Sequence, residues 1–313
     1  MLQAGIVLPV ARYRLSFRMQ DPLRLPQYAG SLLRGQFGAA LRRTACITGA
    51  PECRPCPLYR SCPYPAVFAT PAPPTHALQR FSEVPNPYVI EPPPFGLREV
   101  AAGERVSFGL VLVGRALEQL PLLAYAFERA FAHGIGRERA RGHLEDIAFE
   151  AAQQAQSVWD AANARIAAHA AALTLPALPR VERITLRITT PLRLHYQGRA
   201  IPPQGLRPRT LFTALLRRVA LLFELHAGVP GLAGDARRLA ALADRLADER
   251  QLRWRDWTRY SSRQQQQMTL GGVVGEWRLS GALDELLPWF WLGQWLHVGK
   301  NTTMGLGHYV LQW

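Results

Sequence analysis

The chain has 313 residues, about twice the usual domain size, which favours two domains with separate cores and excludes a small disulfide scaffold. Hydrophobic residues make up 48% and charged residues 19%, too apolar for a disordered chain, and the longest apolar stretch, near Leu286–Val298, is broken by Gly293, Gln294 and His297 and too short to cross a bilayer. Thirty-seven basic against 23 acidic residues leave +14, which suits a phosphate-bearing partner, nucleic acid ahead of membrane because no basic amphipathic helix or polybasic run stands out.

The opening MLQAGIVLPVARYR has no basic region ahead of its apolar run and no small-residue cleavage site in register, so a cytoplasmic protein is expected. RYRLSFRM then alternates in the period of two that a strand with one buried face requires, and the segment after Gly30 places apolar residues at helical spacing. Four cysteines and a Pro-rich stretch through PNPYVIEPPP follow, then a strand at Arg105–Gly114 and a helix with proline near its first turn, where the missing N–H costs least. The Ala-rich run Ala151–Ala172 predicts a further helix closing the first domain. After a joint near Thr174–Arg180, RITLRITT again reads as a strand. Phe212, Leu215, Leu216, Val219 and Leu222 lie at helical spacing, and a second helix is expected at about Asp235–Asp248. QLRWRDWTRYSSRQQQQ, a strand in VVGEWRLSG, a helix and a glycine-rich loop lead to the last strand.

The second half repeats the first. Arg14, Arg18, Pro22, Leu23, Arg24 and Leu25 recur as Arg183, Arg187, Pro191, Leu192, Arg193 and Leu194, and RGQFGAALRR recurs as RTLFTALLRR. Gly114, Leu120 and Pro121 match Gly281, Leu287 and Pro288, while Gly134, Gly142 and His143 match Gly299, Gly307 and His308. Four collinear blocks mean two homologous halves. Each reads β-α-(β-β)-α-β, the ferredoxin-like split βαβ unit. The expected fold is therefore α+β, with two tandem ferredoxin-like domains at 1–175 and 181–313. The first carries a four-cysteine insertion at about 46–62, the second a glycine-rich loop at 299–307.

Cys46, Cys53, Cys56 and Cys62 follow the pattern C-x6-C-x2-C-x5-C. In a cytoplasmic setting that cluster points to metal rather than disulfides: a closed four-thiolate structural zinc site first, an iron–sulfur cluster second, an unmetallated loop third. A closed site has no open position for catalysis.

LHVGKNTTMGLGHYVLQW sets Gly299, Gly305 and Gly307 after a helix, with Lys300, Thr302, Thr303 and His297 beside them. The glycines serve either a tight helix-to-strand crossing or phosphate binding, where exposed N–H groups, a cation and hydroxyls converge on phosphate oxygens. Lys300 is the one lysine among 37 basic residues. His297 is either a proton-transfer imidazole or a helix cap. In RWRDWTRYSSRQ, Arg253, Arg255, Arg259 and Arg263 alternate with Trp254, Trp257 and Tyr260, a mixture suited to phosphates and unpaired bases. A strand here would bury Trp254 and leave the arginines solvated. Arg34 recurs as Arg209 at the start of each first helix, as an RNA contact or a salt bridge.

GSLLRGQFGAALRR with CITGAPECRPCPLYRSCPYPAVF, NPYVIEPP, RYSSRQQQQMTLGGVVGEW and LHVGKNTTMGLGHY together resemble the RAMP superfamily of CRISPR-associated proteins, in particular the Cas-six family of pre-crRNA processing endoribonucleases. The resemblance implies tandem ferredoxin-like domains and metal-independent cleavage of CRISPR repeat RNA to mature crRNA, in which the ribose 2′-OH attacks the adjacent phosphate and leaves a 2′,3′-cyclic phosphate. It implies crRNA and other Cas proteins as partners, and no cofactor for catalysis. Lys300 and Arg263 are candidates for charge stabilisation and His297 for proton transfer. A catalytic His and Tyr from the first helix region are also implied. Tyr28 is available, but no histidine stands between Tyr28 and Cys46. That departure keeps open a non-catalytic, Cas-five-like or Cas-seven-like crRNA-holding subunit. An iron–sulfur or redox protein is the reading from another class.

Overall fold

The computed structural model describes residues 2–73, 84–96, 98–151, 154–261 and 266–313, and no side chain over 259–261 or 266–269. By its contacts the chain divides between Leu173 and Thr174, at the edge of the expected joint, and the segment ending at Leu8 groups with the C-terminal unit rather than the N-terminal one.

The N-terminal unit runs β1 (Val10–Met19), α1 (Gly30–Ala45), α2 (Pro63–Phe68), β2 (Tyr88–Glu91), β3 (Arg105–Val113), α3 (Leu120–His133), β4 (Gly142–Glu150) and β5 (Ala155–Ser157). These strands form one antiparallel sheet in the order β2-β3-β1-β4-β5. The alternation of β1 buries Tyr13, Leu15, Phe17 and Met19, and the first three lie opposite Leu110, Phe108 and Val106 of β3. Helices α1 and α3 cover that face. Phe37 of α1 stacks on Phe127 of α3 with centroids 4.5 Å apart, and Phe131 stacks on Phe17 of the sheet at 3.7 Å. Each such ring contributes about 1.5–3 kcal/mol by leaving water, so this aromatic layer dominates the unit's core.

The C-terminal unit runs β6 (Arg183–Leu192), α4 (Pro208–Ala227), α5 (Ala236–Asp244), β7 (Ala247–Ser261), β8 (Gln266–Ser280), α6 (Leu287–Leu296) and β9 (Tyr309–Gln312), with strand order β7-β8-β6-β9. Pro208 opens α4, and Gly228, left-handed at φ +66°, closes it. The expected second helix is α5, whose Asp235 cap accepts a hydrogen bond from the Arg238 N–H at 2.9 Å. Trp277 is fully buried and donates its indole N–H to Asp248 at 2.8 Å. Phe212 and Phe290 meet edge to face across α4 and α6 at 5.6 Å. Leaving out β5, the strands of both units, taken in chain order, lie 2-3-1-4 across the sheet, and Pro121 and Pro288 sit in the first turns of α3 and α6.

The helix expected over Ala151–Ala172 does not form in the described residues. The run holds β5 and a hairpin pairing Trp159–Asp160 with Arg165–Ile166. Asp160 accepts from the backbone and side chain of Asn163 at 3.2 and 2.9 Å and from Arg165 at 2.9 Å, and Ala164 is left-handed at φ +48°. That turn outbids alanine's helical propensity because Val158, Trp159 and Ile166 gain core contacts that a helix of alternating Ala and polar residues would lack. Among the described residues, no helix is long and apolar enough to cross a membrane.

Candidate functional site

Helix α6 stops at Leu296, and the following loop is stitched to the end of β6. The Lys300 N–H donates to the Arg193 carbonyl at 2.8 Å, the Gly307 N–H to Pro191 at 3.1 Å, and the Val298 N–H to Gly307 at 3.1 Å. Thr190, at an irregularity in β6 between Ile188 and Leu192, donates its hydroxyl to the Gly305 carbonyl and accepts from the His308 N–H, both at 2.8 Å. This close approach is what the glycines permit. A Cβ on Gly299, at φ +95°, would come 2.6 Å from the Arg193 carbonyl oxygen, and one on Gly307, at φ +74°, would overlap the Val298 carbonyl. Their repeats obey the same rule: a Cβ on Gly142 would sit 2.9 Å from the Arg18 carbonyl oxygen, and one on Gly134 would overlap that of Arg139. Chain packing alone therefore accounts for the glycine spacing in both halves.

The polar residues around this frame decide what it presents. Lys300 is exposed, Thr303 half-buried, and Thr302 buried in the turn Thr302–Met304 that follows left-handed Asn301. Arg193 donates to the Gly271 carbonyl at 2.7 Å, and exposed His195 lies two residues further along. Partial desolvation of its ring, then the charges of Arg193 and Lys300, hold the His195 imidazole below its ordinary pKa. Both cations therefore lie near enough to His195 to disfavour its charged form. Neither Arg193 nor His195 stands out in the sequence as a site residue. Arg193 did carry a signal, its recurrence from Arg24.

Of the other expected residues, His297 is turned into the loop's interior and the rest lie elsewhere. His297 is 1% exposed, at φ +58°, with Nδ1 3.2 Å from the Leu306 carbonyl oxygen and its ring 4.9 Å from that of His308. Tyr28 is buried in the N-terminal unit with its ring 5.1 Å from Phe95; burial and then the Glu91 charge push its phenol well above the ordinary range. Arg34 lays its guanidinium over the Phe68 ring at 4.3 Å, and Arg209 pairs with Asp244 at 3.1 Å. Arg253 and Arg255 line a cleft of about 560 Å³ on the C-terminal sheet, with Thr189, Gln251 and Glu276. Trp254 corrects an expectation: it is 37% exposed, while Trp257, on the opposite face of the strand, is 3% exposed. Its ring lies over Gly271, where a side chain would collide with it, and its N–H reaches Asp256 at 2.7 Å. Arg263 lies outside the described residues, as does the Arg259 side chain. The four cysteines form no disulfide, are half-buried and line one cavity of about 240 Å³ in the N-terminal unit.

The loop residues Gly299, Lys300, Thr302, Thr303, Gly305 and Gly307 therefore share one frame with Arg193 and His195, on the unit that also carries Arg253 and Arg255. Tyr28, Arg34 and the cysteines belong to the other unit.

Residues 186–309 match the family model of the CRISPR-associated endoribonuclease Cas6, and residues 8–171 match the N-terminal domain model AF_1859_N. Among solved structures, the chain is similar to a Cas6 product complex with a TM-score of 0.56 at 17% identity, over 97% of this chain and 99% of that one. It is similar to Thermus thermophilus Cas6 with a TM-score of 0.54 at 18% identity, over 98% and 100% of the two chains. A chain of a partial Cas6-RT-Cas1–Cas2 complex aligns at 0.51 and 14% identity, over 97% of this chain and 46% of that one. No curated protein matches the sequence.

Proposed function

The chain belongs to the Cas6-type family of CRISPR-associated RAMP proteins, and we propose that it cuts CRISPR repeat RNA to mature crRNA without a divalent ion. We read both units as ferredoxin-like, supported by their shared β-α-β-β-α-β order and 2-3-1-4 strand arrangement. The observation that carries the catalytic reading is the exposed Lys300, pinned through its backbone to Arg193 and beside His195.

In the proposed reaction the 2′-oxygen loses its proton to a base and forms a bond to phosphorus. The bond from phosphorus to the 5′-oxygen breaks, that oxygen takes up a proton, and a 2′,3′-cyclic phosphate remains. Lys300 offsets the negative charge that builds on the phosphoryl oxygens. His195 takes the proton: its lowered pKa keeps it neutral, and so basic, at pH 7. Arg253 and Arg255 hold the RNA backbone along the cleft. Likeness to a chain of the Cas6-RT-Cas1–Cas2 complex supports contact with other Cas proteins as well.

Cleavage of repeat RNA in EDTA tests this reading. One cut is expected, and a substrate with 2′-deoxyribose at the scissile nucleotide should bind but stay intact. Tight binding of the all-ribose repeat with no cut would replace the nuclease with a crRNA-holding subunit. The pH profile tests the base. A group whose pKa lies below 6.5 is active above that value, so the rate should be level at pH 7 and fall as pH drops through the lowered pKa. His195→Asn should remove this acid limb and slow the reaction by about 10²-fold; an unchanged limb assigns the proton to another group.

A further inference from the structure

We propose that Cys46, Cys53, Cys56 and Cys62 bind one zinc ion, and that this ion sets the position of Arg34. The ion has no role in the chemistry of cleavage. Cys46 closes α1, its N–H bonding the Arg42 carbonyl at 2.9 Å, and Cys62 is the residue before α2. A metal held by all four thiolates therefore joins the end of one helix to the start of the next.

The connecting loop has little else to fix it. It contains no helix or strand, Ile47 within it is 85% exposed, and its turns are single bonds such as Cys56 N–H to Cys53 at 3.0 Å and Cys62 N–H to Leu58 at 2.8 Å. Arg42 ties its far side to α1 by donating to the Ala50 and Pro51 carbonyls at 2.6 and 2.7 Å. All four thiols nevertheless turn toward one cavity. The Thr48 hydroxyl stands between two of them, 3.8 Å from the Cys46 sulfur and 3.5 Å from that of Cys56. Among the described residues no three of these sulfurs lie within 4.8 Å of one another. Zinc–sulfur bonds of about 2.3 Å require tetrahedral sulfurs about 3.8 Å apart, so the ion draws the loop inward and displaces Thr48. Four thiolates with one C-x2-C step suit closed tetrahedral zinc, and the outer spacings are not those of ferredoxin clusters.

What the loop fixes reaches α1. Helix α2 carries Phe68, whose ring occupies the space a Cβ on Gly38 of α1 would need and stacks on Tyr64 at 5.5 Å. Arg34 rests on that same ring at 4.3 Å. Release of the ion loosens the start of α2, while Asn86 still holds its end by donating to the Phe68 carbonyl at 3.0 Å, and so shifts the platform under Arg34. The effect on RNA rests on the nuclease reading above; the metal site does not.

Metal content of the full chain, purified reduced and without chelator, is the first measurement. About one zinc per chain is expected, and none in the Cys53→Ser/Cys56→Ser double variant. Iron with visible cluster absorption overturns the zinc assignment, and a metal-free chain with four reactive thiols overturns the site. Because the double variant can misfold, wild-type chain is also treated with a mercurial that extracts the ion. Trypsin should then cut after Arg60, exposed between Cys56 and Cys62 and protected by zinc, and repeat-RNA affinity should fall by the same factor as in Arg34→Ala. Zinc loss with unchanged affinity overturns the link to Arg34. A chain that binds no RNA at all sinks the nuclease reading and leaves the zinc result standing.

Discussion

Gly307→Ala is expected to destabilise the C-terminal unit by about 3–5 kcal/mol, the range of severe single substitutions. Two penalties combine. The residue holds φ +74°, where an L side chain costs about 1–2 kcal/mol, and its new Cβ would meet the Val298 carbonyl. That carbonyl belongs to backbone stitched to Gly307 itself by the Val298 N–H at 3.1 Å, so it cannot turn away without opening the loop. Gly228→Ala isolates the first penalty, since Gly228 is also left-handed, at φ +66°, but among the described residues nothing lies within 4 Å of where its Cβ would stand. It should cost about 1 kcal/mol. Thermal or denaturant unfolding of the two variants checks this: Gly307→Ala should lower the melting temperature by roughly 10 °C and Gly228→Ala by a few degrees. Equal shifts would mean that the loop yields, and that its glycines are not there for backbone approach.

That contrast marks what the sequence carries and where it stops. Periodicity is a local property, so the faces of β1 and β6, the helices around Phe37 and Phe212, and the doubled order of elements can be read before any contact is known. Local composition misleads at Ala151–Ala172, where one Asx-type turn at Asp160 and the pull of the core on Trp159 and Ile166 decide the outcome. Trp254 is misread for a related reason. Alternation assigns two faces to a strand but does not say which has a covering layer at that point, and Trp254 lies over the bare backbone of Gly271 and is left 37% exposed. The site is less legible still. Lys300 stands out in composition, yet its neighbours come from a hydrogen bond to Arg193, 107 positions away. His297, prominent in sequence because it ends a helix, is turned inward by a left-handed backbone that no local pattern announces for a histidine.

Lys300→Ala is expected to lower the single-turnover rate of repeat cleavage by about 10²–10³, the loss seen when one preorganised donor to a developing oxyanion is removed. The reason lies in how the residue is held. Its N–H, not its side chain, makes the bond to Arg193, so alanine keeps the loop's stitching, and stability should change by less than about 0.5 kcal/mol. Truncation therefore removes the ammonium from an intact frame, unlike Gly307→Ala, which breaks the frame. In the proposed role the ammonium would meet phosphate in the bound RNA, and more strongly once negative charge has built up, so the rate should fall further than the affinity. Affinity should lose about one counterion's worth of salt dependence. Lys300→Arg restores the charge on a longer, forked group and should recover part of the rate. Removing Lys300 also relieves one of the two charges that depress His195, so the acid limb of the pH profile should move to higher pH in Lys300→Ala. A single-turnover rate and profile unchanged in Lys300→Ala would detach the glycine loop from the chemistry and leave it a connection between α6 and β9.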